Sequence, residues 1–155
     1  MHWIMLTIIY IILGALFTNP TPSYEQLAAD HFFQTLLKQR YQDCKSIEFD
    51  NRTDTARYAG HVYGCDKWDM EERKEIDKGQ TKSIIELKTP TTNISIRKTS
   101  NSKRLKLFIG TKIPVGDAFV VQIDVHKPFE FVNHYFIKFE KGGKIVDMCE
   151  INEII

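Results

Sequence analysis

The most regular hydrophobic pattern in the chain lies near its amino terminus and is helical. Apolar side chains recur there at steps of three and four residues, which brings them to one face of an α-helix. They are Ala29, Phe32, Phe33, Leu36 and Leu37. Residues 23–26 (SYEQ) form a capping box with Ser23 as the N-cap. The pattern predicts an amphipathic helix from Ser23 to about Tyr41.

From Thr81 onward the hydrophobic period shortens to two, which is typical of strands with one buried face. Alternating segments separated by turn residues cover 83–89, 93–99, 104–110, 118–126, 129–140 and 144–151. Gly142 and Gly143 join the last two segments, and a glycine pair is a hairpin signal. The connections are too short for a purely parallel sheet, because parallel strands need long crossovers.

The stretch between the helix and these strands has a weaker pattern. Residues 46–49 (SIEF) alternate and predict a short strand, and residues 68–76 predict a second, exposed helix. Together the elements predict an α+β fold, in which the N-terminal amphipathic helix packs on a curved antiparallel sheet of about five strands. Residues 23–155 form a single domain in this prediction.

The first residues of the chain predict a targeting segment. Residues 4–17 carry no charge and match the apolar region of a signal peptide, short of the roughly 20 residues of a membrane span. No Lys or Arg precedes this run, and no A-x-A motif follows it. We predict that residues 1–22 are a signal peptide or an uncleaved N-terminal anchor and that the chain is exported: periplasmic, secreted or anchored through residues 4–17. A buried core helix is the alternative.

Composition narrows the choice of partners. The chain has 21 basic and 20 acidic residues and a net charge of +1, which gives no bulk attraction to nucleic acid. A local run from Arg97 to Lys112 contains six cations and no acid. Aromatic residues are not interleaved with these cations as a base-stacking platform requires, so nucleic acid is not expected. We interpret the run as a solvated face, with an anion site as the alternative.

Three cysteines suit an oxidising compartment, which would allow one disulfide. The pairings among Cys44, Cys65 and Cys149 stay open. We favour Cys44 with Cys65, since both lie in the irregular first half and would close a loop of about 20 residues worth roughly 3 kcal/mol. No C-x-x-C motif occurs and no histidine lies at ligand spacing from a cysteine. The sequence therefore predicts no metal site and no cofactor.

The order of these elements resembles that of a known superfamily. Residues 134–147 give a strand, a glycine turn and a returning Lys-Ile-Val strand. With the long helix and the antiparallel strands, residues 24–151 resemble the cystatin-like superfamily, and within it the nuclear-transport-factor-two-like cone fold. The resemblance implies a cup between helix and sheet that holds a ligand, an enzyme site or nothing. Protease-inhibiting cystatins use a Q-x-V-x-G hairpin, which this chain lacks, so protease inhibition is disfavoured.

Candidate acid and base residues occur on one strand. Gln122, Asp124 and His126 share a face, because alternate side chains of a strand point the same way. If that face lines the cup, Asp124 could orient His126 as a general base while Gln122 binds substrate. Side chains two residues apart on a strand start about 7 Å apart, so direct hydrogen bonding is not assured. The alternative is an ordinary solvent-facing row.

Two further residues are candidates for ligand binding. Asn133 interrupts an apolar face, where an amide without a hydrogen-bond partner costs about 1–3 kcal/mol. It would contact a ligand or satisfy the backbone at a bulge. His61 lies in a loop flanked by Gly60 and Gly64 and could be a site residue.

Three functions remain in view. The first is a non-enzymatic exported module that binds a small molecule or a protein. The second is a lyase- or isomerase-type enzyme with Asp124 and His126 as acid and base. The third is a subunit that pairs through its sheet, for example as a homodimer. The first two differ in whether Asp124 and His126 face an enclosed pocket or bulk water.

Overall fold

A computed structural model describes residues 22–54, 59–79, 83–98 and 103–155. The predicted targeting segment lies almost wholly outside the described residues, so export stays a prediction. Among the helices in the described ranges, none is long and apolar enough to span a membrane.

The chain is helical from Tyr24 to Arg40 in three consecutive pieces. These are helix α1 (Tyr24–His31), a π-helical segment (Phe32–Leu36) and helix α2 (Leu37–Arg40). Ser23 is the N-cap, and its hydroxyl accepts a hydrogen bond from the Gln26 amide at 3.2 Å, as the capping box predicts. We refer to residues 24–40 as the N-terminal helix.

The strands of the described residues belong to one sheet. Its strands are β1 (Ser46–Glu48), β2 (Thr53–Asp54), β3 (Ser95–Arg97), β4 (Leu105–Gly110), β5 (Ile113–Val115), β6 (Ala118–Lys127), β7 (Phe131–Phe139) and β8 (Ile145–Ile154). The spatial order is β3-β1-β4-β6-β7-β8, with β2 beside β4 and β5 beside β6. The fold is α+β with a mostly antiparallel sheet, as the alternating patterns predict.

The sheet differs from the prediction in strand number and partly in direction. Eight strands occur in the described residues rather than about five. Strand β1 runs parallel to β3 and to β4, and β2 runs parallel to β4. The long excursion between Glu48 and Ser95 permits this, because it is long enough to return the chain in the same direction.

The predicted strand at 83–89 is reduced to a single antiparallel bridge between Arg52 and Glu86. Its backbone groups are satisfied in other ways. The Ile85 amide donates to the Thr53 hydroxyl and the Leu87 amide donates to the Asn51 carbonyl, both at 2.8 Å. Local contacts with the loop around β2 therefore replace the ladder that the alternating pattern favoured.

Helix α3 (Met70–Lys78) and a 3-10 helix (Gly60–Gly64) pack on the sheet opposite the N-terminal helix. The Asp69 carboxylate caps α3 by accepting a hydrogen bond from the Glu72 amide at 2.9 Å. The second helix of the sequence prediction is thus present.

The two faces of the sheet have separate cores. On the helix face, the N-terminal helix packs against alternate residues of β6 and β7, namely Val121, Ile123, Val125, Tyr135, Ile137 and Phe139. On the opposite face, which we call the disulfide face, Val62, Trp68 and Ile76 pack against Val120 and Phe136. The resemblance implies a ligand cup between helix and sheet. Buried side chains fill that space, including Phe32, Phe33 and Leu36.

The disulfide joins Cys65 to Cys149, with their Cα atoms 5.9 Å apart, and not Cys44 to Cys65 as we favoured. Cys44 is the free thiol, and its Sγ donates to the Ser46 carbonyl at 3.2 Å. Cys44 and Cys65 do not pair because the sheet lies between them: Cys44 packs with the helix-face core and Cys65 packs with the core on the opposite face. Proximity along the chain was therefore a poor guide to pairing.

Candidate metal centre

The register of β6 and β7 brings two ionisable side chains together on the disulfide face. Asp124 lies directly opposite His134. The His134 Nδ1 and Asp124 Oδ1 atoms are 2.8 Å apart, and the two side chains are only 4% and 3% exposed. A buried carboxylate is costly unless it is paired and hydrogen-bonded, and this pairing meets that requirement.

Gln122 holds the same carboxylate from its own strand. Its Nε2 donates to Asp124 Oδ1 at 2.9 Å. The Asp124 oxygen therefore receives a hydrogen bond from the amide and one from the imidazole. Both contacts fix the direction in which Asp124 presents charge to His134.

The other nitrogen of His134 is the distinctive atom of this cluster. Its Nε2 is buried and has no hydrogen-bond partner within the described part of the chain. In neutral imidazole one nitrogen carries the proton and the other accepts. When the ring is neutral, the Asp124 carboxylate beside Nδ1 favours the proton on Nδ1, so that Nε2 presents a lone pair.

His61 and Glu153 lie beside that lone pair. The His61 ring stacks on the His134 ring with centroids 3.9 Å apart and planes inclined by 12°. His61 Nδ1 is 2.7 Å from Glu153 Oε1, and Glu153 Oε2 is 3.6 Å from His134 Nε2. One ligand atom from each of the three residues lies within 4.8 Å of the others. We call these three residues the His-His-Glu cluster.

The chain holds His61 and Glu153 together by fastening residues 61–68 along β8. The Cys65–Cys149 disulfide is the central link. Trp68 Nε1 donates to Asp147 Oδ2 at 2.5 Å, and Lys67 also contacts the Asp147 carboxylate. Because alternate residues of β8 share a face, Asp147, Cys149 and Glu153 all point toward this segment.

Two imidazoles and one carboxylate form a ligand set suited to zinc and related first-row divalent ions. Calcium and magnesium prefer oxygen ligands and fit this set less well. A histidine that binds metal usually donates its second nitrogen to a carboxylate, which is the role Asp124 has toward His134. Exposure rises from 4% at His134 to 28% at His61 and 45% at Glu153, so the cluster opens toward solvent on one side.

Charge at His134 is controlled by opposing effects. Burial disfavours the imidazolium form, but the hydrogen bond and charge of Asp124, with a contribution from Glu153, outweigh it. The net result is a pKa of His134 raised above 6.5. The surroundings of this ring thus favour a positive charge at its position, which a proton or a metal ion can supply.

The structure unites some predicted site residues and separates others. Gln122, Asp124 and His61 all belong to the surroundings of His134, whereas His126 packs edge-on against Phe108 with centroids 5.0 Å apart. The Gln122–Asp124 row is buried at 2% exposure for each residue, so it is not the solvent-facing row of the alternative interpretation. Asn133 lies on the helix face and donates from Nδ2 to the Tyr41 hydroxyl at 2.7 Å.

Sequence reasoning missed His134 and Glu153. Metal ligands are recognised in a sequence by their spacing, and both residues lie far from His61 along the chain. The register of β6 and β7 identifies His134, because His134 lies directly across from Asp124. No comparable signal points to Glu153, which meets His61 through the path of residues 61–68.

Comparisons with protein-family models, curated proteins and solved structures found no match to this chain. The resemblance to the cystatin-like superfamily therefore stays a prediction, and the candidate site is argued from its own geometry.

Proposed function

We propose that this chain is an exported, non-enzymatic binding module whose ligand is a first-row divalent metal ion of the zinc class. His61, His134 and Glu153 would hold the ion. Export is supported by the uncharged residues 4–17 and by a disulfide, which forms and persists in oxidising compartments.

The observation that carries the proposal is the buried Nε2 of His134, which has no hydrogen-bond partner among the described residues. A buried acceptor without a partner costs free energy, about 1–3 kcal/mol, and a bound cation would remove that cost. The atom lies 3.6 Å from a Glu153 oxygen, and its ring is stacked on that of His61. Asp124 supports it from behind, as an outer-shell carboxylate supports a metal-binding histidine.

An acid–base role is the second candidate, transferred from His126 to His134. The Asp124–His134 hydrogen bond at 2.8 Å is the geometry that orients a general base. A side chain that is only 4% exposed offers little surface to an organic substrate. Metal binding is better supported, because an ion needs only ligand atoms that lie close together, and those of the His-His-Glu cluster lie within 4.8 Å of one another.

Calorimetric titration of untagged, disulfide-intact protein with Zn²⁺ tests the proposal. We expect saturable one-to-one binding that His134→Ala weakens by more than the 10–100-fold typical of losing an outer-shell partner. His126→Ala and His31→Ala are matched controls, because each removes a histidine that lies outside the cluster. Equal zinc affinity in wild type and His134→Ala would contradict the proposal.

Co²⁺ titration supplies an independent readout of the ligand set. Co²⁺ bound by two imidazoles and a carboxylate has visible absorption bands that differ from those of aqueous Co²⁺. The bands should appear in wild type and in His126→Ala and be lost in His134→Ala. Enzyme activity without cobalt bands, lost in His134→Ala, would favour the acid–base role instead.

A further inference from the structure

A cleft lies at the end of the sheet where the N-terminal helix stops. Helix α2 ends at Arg40, β1 and β4 begin at Ser46 and Leu105, β6 ends at Lys127 and β7 begins at Phe131. All of these ends line one cleft of about 440 Å³. That volume is within the range of small-molecule sites, roughly 300–1,000 Å³.

The polar lining of this cleft is mostly cationic. Among the described residues that line it, five are basic and one is acidic: Arg40, Lys45, Lys103, Arg104 and Lys127, and Asp43. They come from the helix end, the loop before β1, the segment before β4 and the end of β6. Cations that converge from separate parts of the chain produce a positive potential, which a concave surface concentrates.

Two of these cations are already paired with acidic residues. Arg40 contacts Glu150 at 2.8 Å, and Lys127 contacts Glu130 at 2.5 Å. The ion pairs among described residues include neither Lys45 nor Arg104. Arg104 offers a planar set of donors that matches a phosphate or carboxylate in two-point fashion. Lys45 and Arg104 are therefore the best placed to bind an added anion.

The apolar lining is ordered by contacts beneath it. Tyr41 and Phe131 stack with ring centroids 6.3 Å apart, and Leu105 also lines the cleft. The Tyr41 hydroxyl is 2.8 Å from that of Tyr135 and accepts from Asn133 Nδ2 at 2.7 Å. These bonds hold the ring in place, so the cleft has a preformed floor that costs little to order on binding.

We propose that this cleft binds an organic anion with an apolar body. Lys45 and Arg104 bind the phosphate or carboxylate headgroup, and the apolar part rests on Tyr41, Leu105 and Phe131. The site is independent of the His-His-Glu cluster and goes beyond metal binding.

Such an anion has two sources, a soluble amphiphile or the headgroup of a membrane lipid. The turn next to the cleft makes the second source testable. Phe129, between Lys127 and Phe131, is 85% exposed and has a φ of +64°, which is unusual for a bulky residue. Its side chain is available to enter an interface if the headgroup belongs to a bilayer.

Titration with octyl phosphate, compared with neutral octanol, tests the cleft. We expect octyl phosphate to bind more tightly, with an affinity that falls as salt is raised. The double variant Lys45→Gln/Arg104→Gln should weaken this binding at least tenfold. Lys88→Gln/Lys144→Gln removes the same charge from exposed positions outside the cleft and should have little effect.

Three results would overturn the proposal: no saturable octyl phosphate binding, equal binding of octyl phosphate and octanol, or equal losses in the two double variants. Vesicles of phosphatidylcholine with phosphatidic acid then identify the source. Vesicle binding that Phe129→Ser weakens, with octyl phosphate binding unchanged, assigns the anion to a lipid. Binding of octyl phosphate without vesicle binding assigns it to a soluble amphiphile. Both results require the cleft.

Discussion

The two faces of the sheet are built on different principles. The helix face is covered by one continuous helical segment, and its large side chains, such as Phe32, Phe33 and Tyr135, are almost wholly buried. The disulfide face is covered by a 3-10 helix, a short α-helix and irregular segments. Its core contains fewer large side chains and lies beside the buried polar residues Gln122, Asp124 and His134.

The difference has consequences for where a site can exist. A face sealed by aromatic and aliphatic side chains is stabilised by close packing and leaves no room for chemistry. A face with a smaller core depends on specific links, here a disulfide and polar pairs, and these links position side chains of the candidate site. The candidate metal centre is accordingly on the disulfide face.

The largest expected effect comes from removing packing on the helix face. Phe32→Ala should lower the free energy of unfolding by about 4 kcal/mol, because the fully buried ring leaves a cavity. Phe129→Ala is the matched control, since that ring is 85% exposed and the loss should be under about 0.5 kcal/mol. Denaturant titration followed by circular dichroism measures both. Similar losses in the two variants would remove the contrast between a sealed core and an exposed ring.

The second largest effect on stability is expected from removing the Cys65–Cys149 disulfide. Cys65→Ser/Cys149→Ser should lower the free energy of unfolding by about 3 kcal/mol, the middle of the range of about 2–4 kcal/mol that is typical of a disulfide. Zinc affinity should fall as well, because His61 and Glu153 belong to the two segments that the bridge joins. Cys44→Ser controls for cysteine loss and should leave zinc affinity unchanged. An unchanged zinc affinity in the double variant would show that the bridge does not hold the cluster.

A smaller effect is expected from the outer shell of the candidate site. Asp124→Asn keeps the shape of the side chain but removes its charge, so the zinc affinity should fall by about 10–100-fold. Asp117→Asn, at a 99% exposed side chain, is the matched control. Calorimetric titration measures both variants, with circular dichroism to verify the fold. A zinc affinity of Asp124→Asn equal to that of wild type would limit Asp124 to a structural role.

The smallest effect is a pH dependence on the disulfide face. Partial burial alone would raise the pKa of the Asp147 carboxyl, but hydrogen bonds from Lys67 and Trp68 lower it below 3.8. The charged form therefore stabilises the fold at pH values above 3.8. This stabilisation is lost as the pH falls from 3.8 through the lowered pKa of the folded state.

Asp147→Asn should consequently be less stable than wild type near neutral pH. The difference should be under about 1 kcal/mol, since solvent screens this partly exposed group. Thermal unfolding from pH 7 to pH 2 should show the two stabilities converging below pH 3.8. A difference that stays constant over that range would mean that charge on Asp147 does not contribute.

Much of the fold was readable from local pattern. The three- and four-residue spacing of Phe32, Phe33 and Leu36 predicted the buried stripe of the N-terminal helix, and Ser23 predicted its start. The Gly142-Gly143 pair predicted the turn between β7 and β8, where Gly143 has a φ of +83°. These features depend on residues that are close in sequence, so a single segment contains the information.

Less of the site was readable, because its members meet through long-range contacts. Alternation predicts that Asp124 and His126 share a face. It does not identify His134, the histidine of the adjacent strand that contacts Asp124. Hydrophobic alternation says which face a residue occupies, whereas the partner across the ladder depends on register.

By itself the sequence determined the α+β class, the helix stripe, the alternating strands and the last hairpin. Only the tertiary structure decided that Cys65 pairs with Cys149, that His134 receives Asp124, and that His61 meets Glu153. The physical reason is the number of residues along the chain that each interaction spans. Periodicity and turn chemistry act over a few residues, while a disulfide or a ligand cluster needs chain closure over many residues, which strand pairing and core packing bring about together.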